Sequence, residues 1–232
     1  MNSPYNIHIL AFGPHPDDVE IGAGWLLYKS SQSGRDSMII DLTCSHLSIR
    51  GNPDQRLQES QDAAKILWVK RLNLGLDDLS IVADHQHRDI IAGYIRKYRP
   101  EIVVFPYHHD RHPDHEATSK IVQDALFAAW LLKLDIQWLA PHRPRIAAMY
   151  QIWDDCRTDV IVSLSDPEYM VKHQSFWSYG SQQETNYWAK EYFDARAKVL
   201  GWKIWSHYGE WYVLYESHVG LDSLDNLQAR AL

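Results

Sequence analysis

The sequence predicts an α/β protein: a Rossmann-like, mostly parallel sheet with helices on both faces and an irregular carboxyl-terminal elaboration. Three observations predict it. Short apolar runs alternate with segments of helical periodicity through the first two thirds of the chain. Such alternation implies parallel strands whose two faces are covered by the crossover helices. A length of 232 residues suffices for one sizeable core, and no linker, internal repeat or low-complexity tract interrupts it. We therefore expect one domain over 1–232, with a core at about 6–145 and the elaboration at about 146–232.

Residues 7–12 form the first strand, and 19 to about 31 a helix that Gly34 stops. Residues 38–42 are the next strand. A polar loop from Thr43 to about Asp54 leads into a helix from about 56 to 68. Residues 72–74 read as a short strand. A helix over 88–98 halts at Pro100, whose ring cannot continue it. Residues 101–106 are a strand, followed by a helix from 116 to about 133. Beyond them, 146–153 and 160–164 read as strands and 168–177 and 188–200 as helices. A terminal stretch, 208–215, follows without an assigned class.

Bulk composition excludes several classes. A formal charge of −7 and a pI near 6 argue against a nucleic-acid partner, which favours a basic face. The two cysteines, Cys44 and Cys156, form no CxxC, so neither a disulfide framework nor a cysteine-rich zinc module is expected. Residues 1–6 lack the basic and apolar regions of a signal peptide. No apolar run reaches the ~18 residues that span a bilayer. The expectation is a cytoplasmic protein without a membrane partner. Ten Trp and thirteen Tyr suit a core and subunit contacts, or a pocket that stacks on sugar rings.

The chemistry lies in two clusters. The first strand runs out into His15-Pro16-Asp17-Asp18, and the strand at 101–106 into Arg111-His112-Pro113-Asp114-His115. In open parallel sheets ligands bind outside the carboxyl ends of the strands, at a topological switch point. Asp17 or Asp18 could simply cap a helix, and His108 and His109 make the second loop rich in histidine anyway. Two clusters at equivalent positions favour one composite metal site instead. Catalytic zinc usually takes three protein ligands and leaves a position for water. His15, Asp18 and His115 would supply a His₂Asp set, which also suits Fe²⁺ or Mn²⁺. Asp17 would then accept a proton from the activated water, and His112 could donate to the oxyanion or the leaving amine. Asp114 could hold the far nitrogen of a histidine. This inventory suits amide hydrolysis. A dinucleotide site is excluded: Gly22-x-Gly24 is only a fragment of the glycine fingerprint.

With these residues the chain resembles the zinc-dependent N-acetylglucosamine deacetylases (PIG-L/LmbE-like), typified by enzymes of glycosylphosphatidylinositol, mycothiol and bacillithiol biosynthesis. It is most similar to the bacillithiol branch, whose substrate is N-acetylglucosaminyl-malate. The likeness is carried by Leu10-Ala11-Phe12-Gly13, Asp17 to Gly22, Asp41-Leu42-Thr43, Arg71 to Leu74 and Asp110 to His115. It runs from about 6 to 216 and is strongest over the first 145 residues. The resemblance implies zinc on His15, Asp18 and His115, Asp17 as general base and His112 as acid or oxyanion donor. It further implies substrate contacts at Arg56 and, nearest to the family tyrosine, Tyr187. The stretch Tyr208-Gly209-Glu210 resembles an element near the pocket. An N-acetylated amino sugar as substrate and a homo-oligomer (trimer or hexamer) also follow from it. One departure bears on the aglycone: Cys44-Ser45-His46 stands where bacillithiol-type relatives carry an acidic, small-residue stretch. An amidase for another small N-acyl amine, or a metal-binding protein without turnover, are the alternatives. Other histidines, His85, His87, His142, His173, His207 and His218, show no ligand spacing with the two clusters.

Overall fold

The structure, a computed structural model, describes residues 6–153, 157–183 and 187–217. Its strands are β1 (Ile9–Gly13), β2 (Ser37–Thr43), β3 (Lys70–Leu76), β4 (Ile102–Pro106), β5 (Ile146–Tyr150), β6 (Val160–Leu164) and β7 (Tyr208–Ser217). The helices are α1 (Asp18–Gln32), α2 (Pro53–Leu67), α3 (His85–Tyr98), α4 (Pro113–Trp130), α5 (Asp166–Trp177), α6 (Gly180–Gln183) and α7 (Tyr187–Lys203). One sheet holds the strands in the order β3-β2-β1-β4-β5-β7-β6. β1 to β5 run parallel, whereas β7 is antiparallel to both its neighbours. The α/β class and the mostly parallel sheet are therefore as the sequence reading has them.

Strand periodicity of two sorts the core into two layers. Leu10, Phe12, Ile40, Val103, Phe105 and Met149 pack against Ile91 and Ile95 of α3 and Ile121, Val122 and Ala125 of α4. Ile9, Ala11, Ile39, Val104 and Tyr150 face Val19, Ala23 and Leu27 of α1. Register places Leu10 beside both Met38 and Val103. The chain thus leaves β1 toward β2 and β3 on one side, and β4 leads to β5 on the other. β1 and β4 flank the switch point, and both clusters leave its carboxyl edge.

Several boundaries differ from the sequence reading for local reasons. α4 begins at Pro113 instead of 116, because the His112 Nδ1 accepts the Asp114 N–H at 3.2 Å and caps the helix, with proline in its first turn. α2 begins early too, where Asn52 accepts the Gln55 N–H at 2.9 Å. β3 extends to seven residues through parallel pairing with β2. The unclassified stretch 208–215 is part of β7, which inserts between β5 and β6. Among the described residues no helix is long and apolar enough to cross a membrane.

α1 carries half of the site, and it is fastened at three places. Glu20 and Asp41, both fully buried, grip the Arg71 guanidinium, which reaches Asp41 at 2.7 and 2.8 Å. The Glu210 carboxylate accepts the N–H groups of Trp25 and Leu26 at 3.1 Å each and pairs with Lys172 at 2.6 Å. At Gly22 the ring of Tyr150 lies so near that an added Cβ would fall 2.0 Å from it. That ring is itself held, since the Tyr150 hydroxyl donates to the Phe12 carbonyl at 2.7 Å.

Gly22→Ala decides between two opposed effects. Helix propensity alone favours alanine by about 1 kcal/mol, whereas forcing a methyl against a fixed ring costs about 1–3 kcal/mol or more. The clash should win, and the urea midpoint should fall; an unchanged or higher midpoint would show that Tyr150 gives way.

Candidate metal centre

Asp17 sits where β1 turns into α1 with φ 102°, a conformation that non-glycine residues rarely hold. It occupies the N-cap position, yet its side chain makes no capping bond. Capping therefore does not explain this aspartate. Its Oδ2 instead lies 3.1 Å from the Nη2 of Arg56, which also donates to the Pro16 carbonyl.

One oxygen organises the cluster. The Asp18 Oδ2 lies 3.0 Å from His15 Nδ1 and 3.3 Å from His115 Nε2. Donors bound about 2.0–2.1 Å from a tetrahedral cation lie about 3.3 Å from one another. The spacing and the donor chemistry both fit a divalent ion, and His15, Asp18 and His115 are the residues that would hold it. The far nitrogens are backed by carboxylates. His15 Nε2 is 3.0 Å from Asp114 Oδ2. His115 Nδ1 is 3.1 Å from Asp110 Oδ1, near enough to pair though off the line of a straight hydrogen bond. Such carboxylate–histidine pairs fix ring orientation and tautomer in metal sites.

His112 stands beside them. Each of His15, His112 and His115 offers a nitrogen within 4.8 Å of the other two, so three imidazoles could share an ion. The hydrogen bond into His112 decides otherwise. Its Nδ1 accepts the Asp114 N–H, which assigns the proton of the neutral ring to Nε2. A nitrogen carrying a proton donates and cannot ligate. Burial and the neighbouring His115 and His15 charges push the pKa of His112 down, which keeps that ring neutral.

The electrostatics follow from burial and partners. Burial opposes charge on His15, but the Asp114 and Asp18 carboxylates prevail and hold its pKa up at about 10. His115 is likewise desolvated, yet Asp18 and Asp110 carry it up to about 9. Burial would raise Asp18; the His115 and His15 rings pull it far below the usual carboxylate range. Asp17 goes the other way. Desolvation lifts it to about 6, with Arg56 pulling back and Asp18 pushing up. A half-buried carboxyl that titrates near neutrality suits a general base.

Of the other residues singled out, Arg56 is 2% exposed, anchored in the first turn of α2 and lying over the Tyr179 ring at 5.0 Å. Its Nη2 is committed to Asp17 and Pro16, while Nε and Nη1 meet no acceptor among the described residues. Tyr187 opens α7, and its side chain lies outside the described residues, as do Cys156 and His218. Glu210 supports α1, and Tyr208 stacks on Tyr169 at 3.9 Å. Two contributors escaped sequence reasoning. Asp110 was visible in the motif, but nothing in its spacing marked it as the partner of His115. Leu79 gave no signal at all: its N–H comes from the loop after β3 to donate to both Asp114 oxygens, at 3.1 and 2.9 Å.

Fold and cluster together define a mostly parallel α/β protein with a His/Asp cluster, fit to hold a cation, at the switch point of its sheet. Residues 10–126, just over half of the chain, match the family described as GlcNAc-PI de-N-acetylase (PIG-L), and the chain belongs to that family. It is 31% identical over 170 residues to the diacetylchitobiose deacetylase of Thermococcus kodakarensis, covering 65% of this chain and 62% of that one. It is 29% identical over 137 residues to the probable N-acetyl-alpha-D-glucosaminyl L-malate deacetylase 2 of Bacillus subtilis, covering 52% and 61%. The chain thus spans about three fifths of the length of the curated relatives it matches. Among solved structures, the conserved protein TT1542 of Thermus thermophilus superposes with a TM-score of 0.87 at 28% identity, over 93% of this chain and 97% of that one.

Two outcomes follow. Ligation needs neutral imidazoles, and rings with pKa values of about 10 and 9 are protonated at pH 7. Zinc binding at pH 7 should therefore release about two protons, and affinity should fall as pH drops. Calorimetry in buffers of different ionisation enthalpy measures this; release of none would contradict the raised pKa values of the two rings. Asp114→Asn, which weakens the hold on His15, should lower zinc affinity about 10–100-fold, and an unchanged affinity in competition with a chelating dye would remove Asp114 from the site.

Proposed function

We propose that the protein is a zinc-dependent hydrolase that removes the acetyl group from an N-acetylglucosamine conjugate. The observation that carries the reading is Asp17: a half-buried carboxyl, lifted toward neutrality and held by Arg56, next to the Asp18 oxygen on which two imidazoles converge. A bound divalent cation supplies Lewis acidity, which polarises an amide carbonyl and acidifies water.

The chain's own groups supply the rest. Asp17 takes the proton of the attacking water as its oxygen bonds to the acetyl carbon. The Nε2–H of His112 faces the same space and donates to the charge that develops on the carbonyl oxygen. When the C–N bond breaks, the proton taken up by Asp17 passes to the departing amine. Acetate and a free amino sugar leave, and no further reactant is needed. Asp114 and Asp110 keep His15 and His115 in place throughout. Support also comes from the relatives, whose names are those of deacetylases of acetylated amino sugars.

Acetate release from N,N′-diacetylchitobiose and N-acetylglucosamine tests the reading. Chelation should abolish turnover and added zinc should restore it. Asp17→Asn should keep its metal and lose at least about a hundredfold in kcat, whereas His15→Ala should lose metal and turnover together. Full activity in Asp17→Asn would discard the base, and no acetate from any N-acetylated sugar would discard the function.

A further inference from the structure

We propose that a cleft at the amino edge of the sheet, at the opposite end from the His/Asp cluster, binds a small polyanion, a molecule with two or more phosphate or carboxylate groups. The cleft lies where the chain enters β1, β2, β4 and β5, between residues 6–8, 34–36, 99–101 and 142–145. Its volume is about 640 Å³, within the range of about 300–1,000 Å³ usual for small-molecule pockets. Backbone hydrogen bonds fix its frame. The His8 N–H donates to the Asp36 carbonyl at 2.7 Å, the Glu101 N–H to the Ile7 carbonyl at 3.2 Å, and the Arg145 N–H to the Glu101 carbonyl at 2.9 Å.

Its charge runs against that of the whole chain. The protein carries a formal −7, yet four arginines line the cleft, Arg35, Arg99, Arg143 and Arg145, against two carboxylates, Asp36 and Glu101. Both carboxylates are already matched: Lys70 reaches Asp36 at 2.7 Å, and Arg145 reaches Glu101 at 3.0 Å. Arg143 pairs with Glu216 at 2.6 Å. Arg35 and Arg99 have no carboxylate partner among the described residues. The Arg35 Nε donates to the Ser33 hydroxyl at 3.0 Å, and the Arg99 Nη1 to the Pro141 carbonyl at 3.3 Å. No other acceptor among the described residues meets either guanidinium.

Two histidines in the cleft register the uncompensated charge. Burial and then the Arg35 guanidinium bring His8 down to about 4. Burial lowers His142, its bond to the Pro100 carbonyl at 2.7 Å pulls back, and Arg99 lowers it further. Both rings are therefore neutral at pH 7, and the guanidinium groups supply the charge. Helix dipoles explain part of the arrangement. α1 and α3 end at the cleft, and the carbonyl ends of helices favour cations, so Arg35 and Arg99 each have a local reason to lie there. That reason does not extend to Arg143 and Arg145, which belong to the chain entering β5, nor does it open a cleft between them. A guanidinium fork matches phosphate and carboxylate oxygens. An anion with two such groups, lying in the cleft, meets the open donors of both Arg35 and Arg99.

Calorimetric titration of inorganic pyrophosphate and, separately, of citrate tests the site, at physiological salt so that only close charges count. Each anion is titrated into zinc-loaded protein and into protein stripped of metal by a chelator and dialysed. At least one should bind at a single site with Kd below about 1 mM, equally tightly with and without zinc, and the tighter of the two names the anion class. Arg35→Ala/Arg99→Ala should weaken binding at least about tenfold, with the urea midpoint reporting that the variant folds. Arg35→Ala alone, at an exposed position, should weaken it severalfold and carries the comparison where the double variant is unstable. Lys120→Ala removes an exposed cation on α4 that does not line the cleft, and should change nothing. Binding of neither anion would overturn the proposal. So would an affinity unchanged in the arginine variants, an equal loss in Lys120→Ala, or binding that disappears with the zinc, which would put the anion at the His/Asp cluster instead.

Discussion

A single carboxylate oxygen, Asp18 Oδ2, is the point toward which the carboxyl edge of this sheet is built. Two imidazoles from loops almost a hundred residues apart converge on it, at 3.0 and 3.3 Å, in surroundings from which water is nearly excluded. Taking a carboxylate and two rings out of water costs on the order of several kcal/mol per ion. The arrangement persists only because every group has an opposite charge or a hydrogen bond beside it. The convergence in turn requires β1 and β4 to be neighbours, which the crossover at the switch point brings about.

Around that oxygen the structure is layered. Asp114 and Asp110 back the two histidines, and the backbone of Leu79 backs Asp114. Arg56 backs Asp17 from α2, with its guanidinium over Tyr179. The buried Glu20–Arg71–Asp41 group and the Glu210–Lys172 pair fasten α1, the helix from which Asp18 projects. Each layer removes a freedom from the one inside it. A site that must hold donors to within tenths of an ångström needs that kind of support.

The two neighbouring aspartates show how environment separates like residues. Asp18 faces imidazoles and is held ionised, while Asp17 faces a low-dielectric pocket with one guanidinium and titrates near 6. The same chemical group thus becomes a permanent anion at one position and a proton acceptor at the next. The backbone makes the separation possible, because the left-handed Asp17 sends the two side chains to different partners.

Much of this was legible in the chain alone. Alternating apolar runs and helical segments predicted a parallel sheet, because strands covered on both faces must be apolar along their length. The spacing within His15–Asp18 and within His112–His115 singled out residues that the fold does bring together, since each group lies on one short turn whose geometry is local. Helix ends were less legible: the start of α4 depends on an imidazole acting as a cap, a use of histidine that propensity does not foresee. What only the tertiary structure decided are contacts between segments far apart in sequence. Arg56 reaching Asp17, Asp110 settling on His115, the Leu79 amide on Asp114, and β7 inserting between β5 and β6 are of this kind. Sequence periodicity reports which face of an element is buried; it carries no information on which distant element does the burying, because that is settled by the packing of the whole chain.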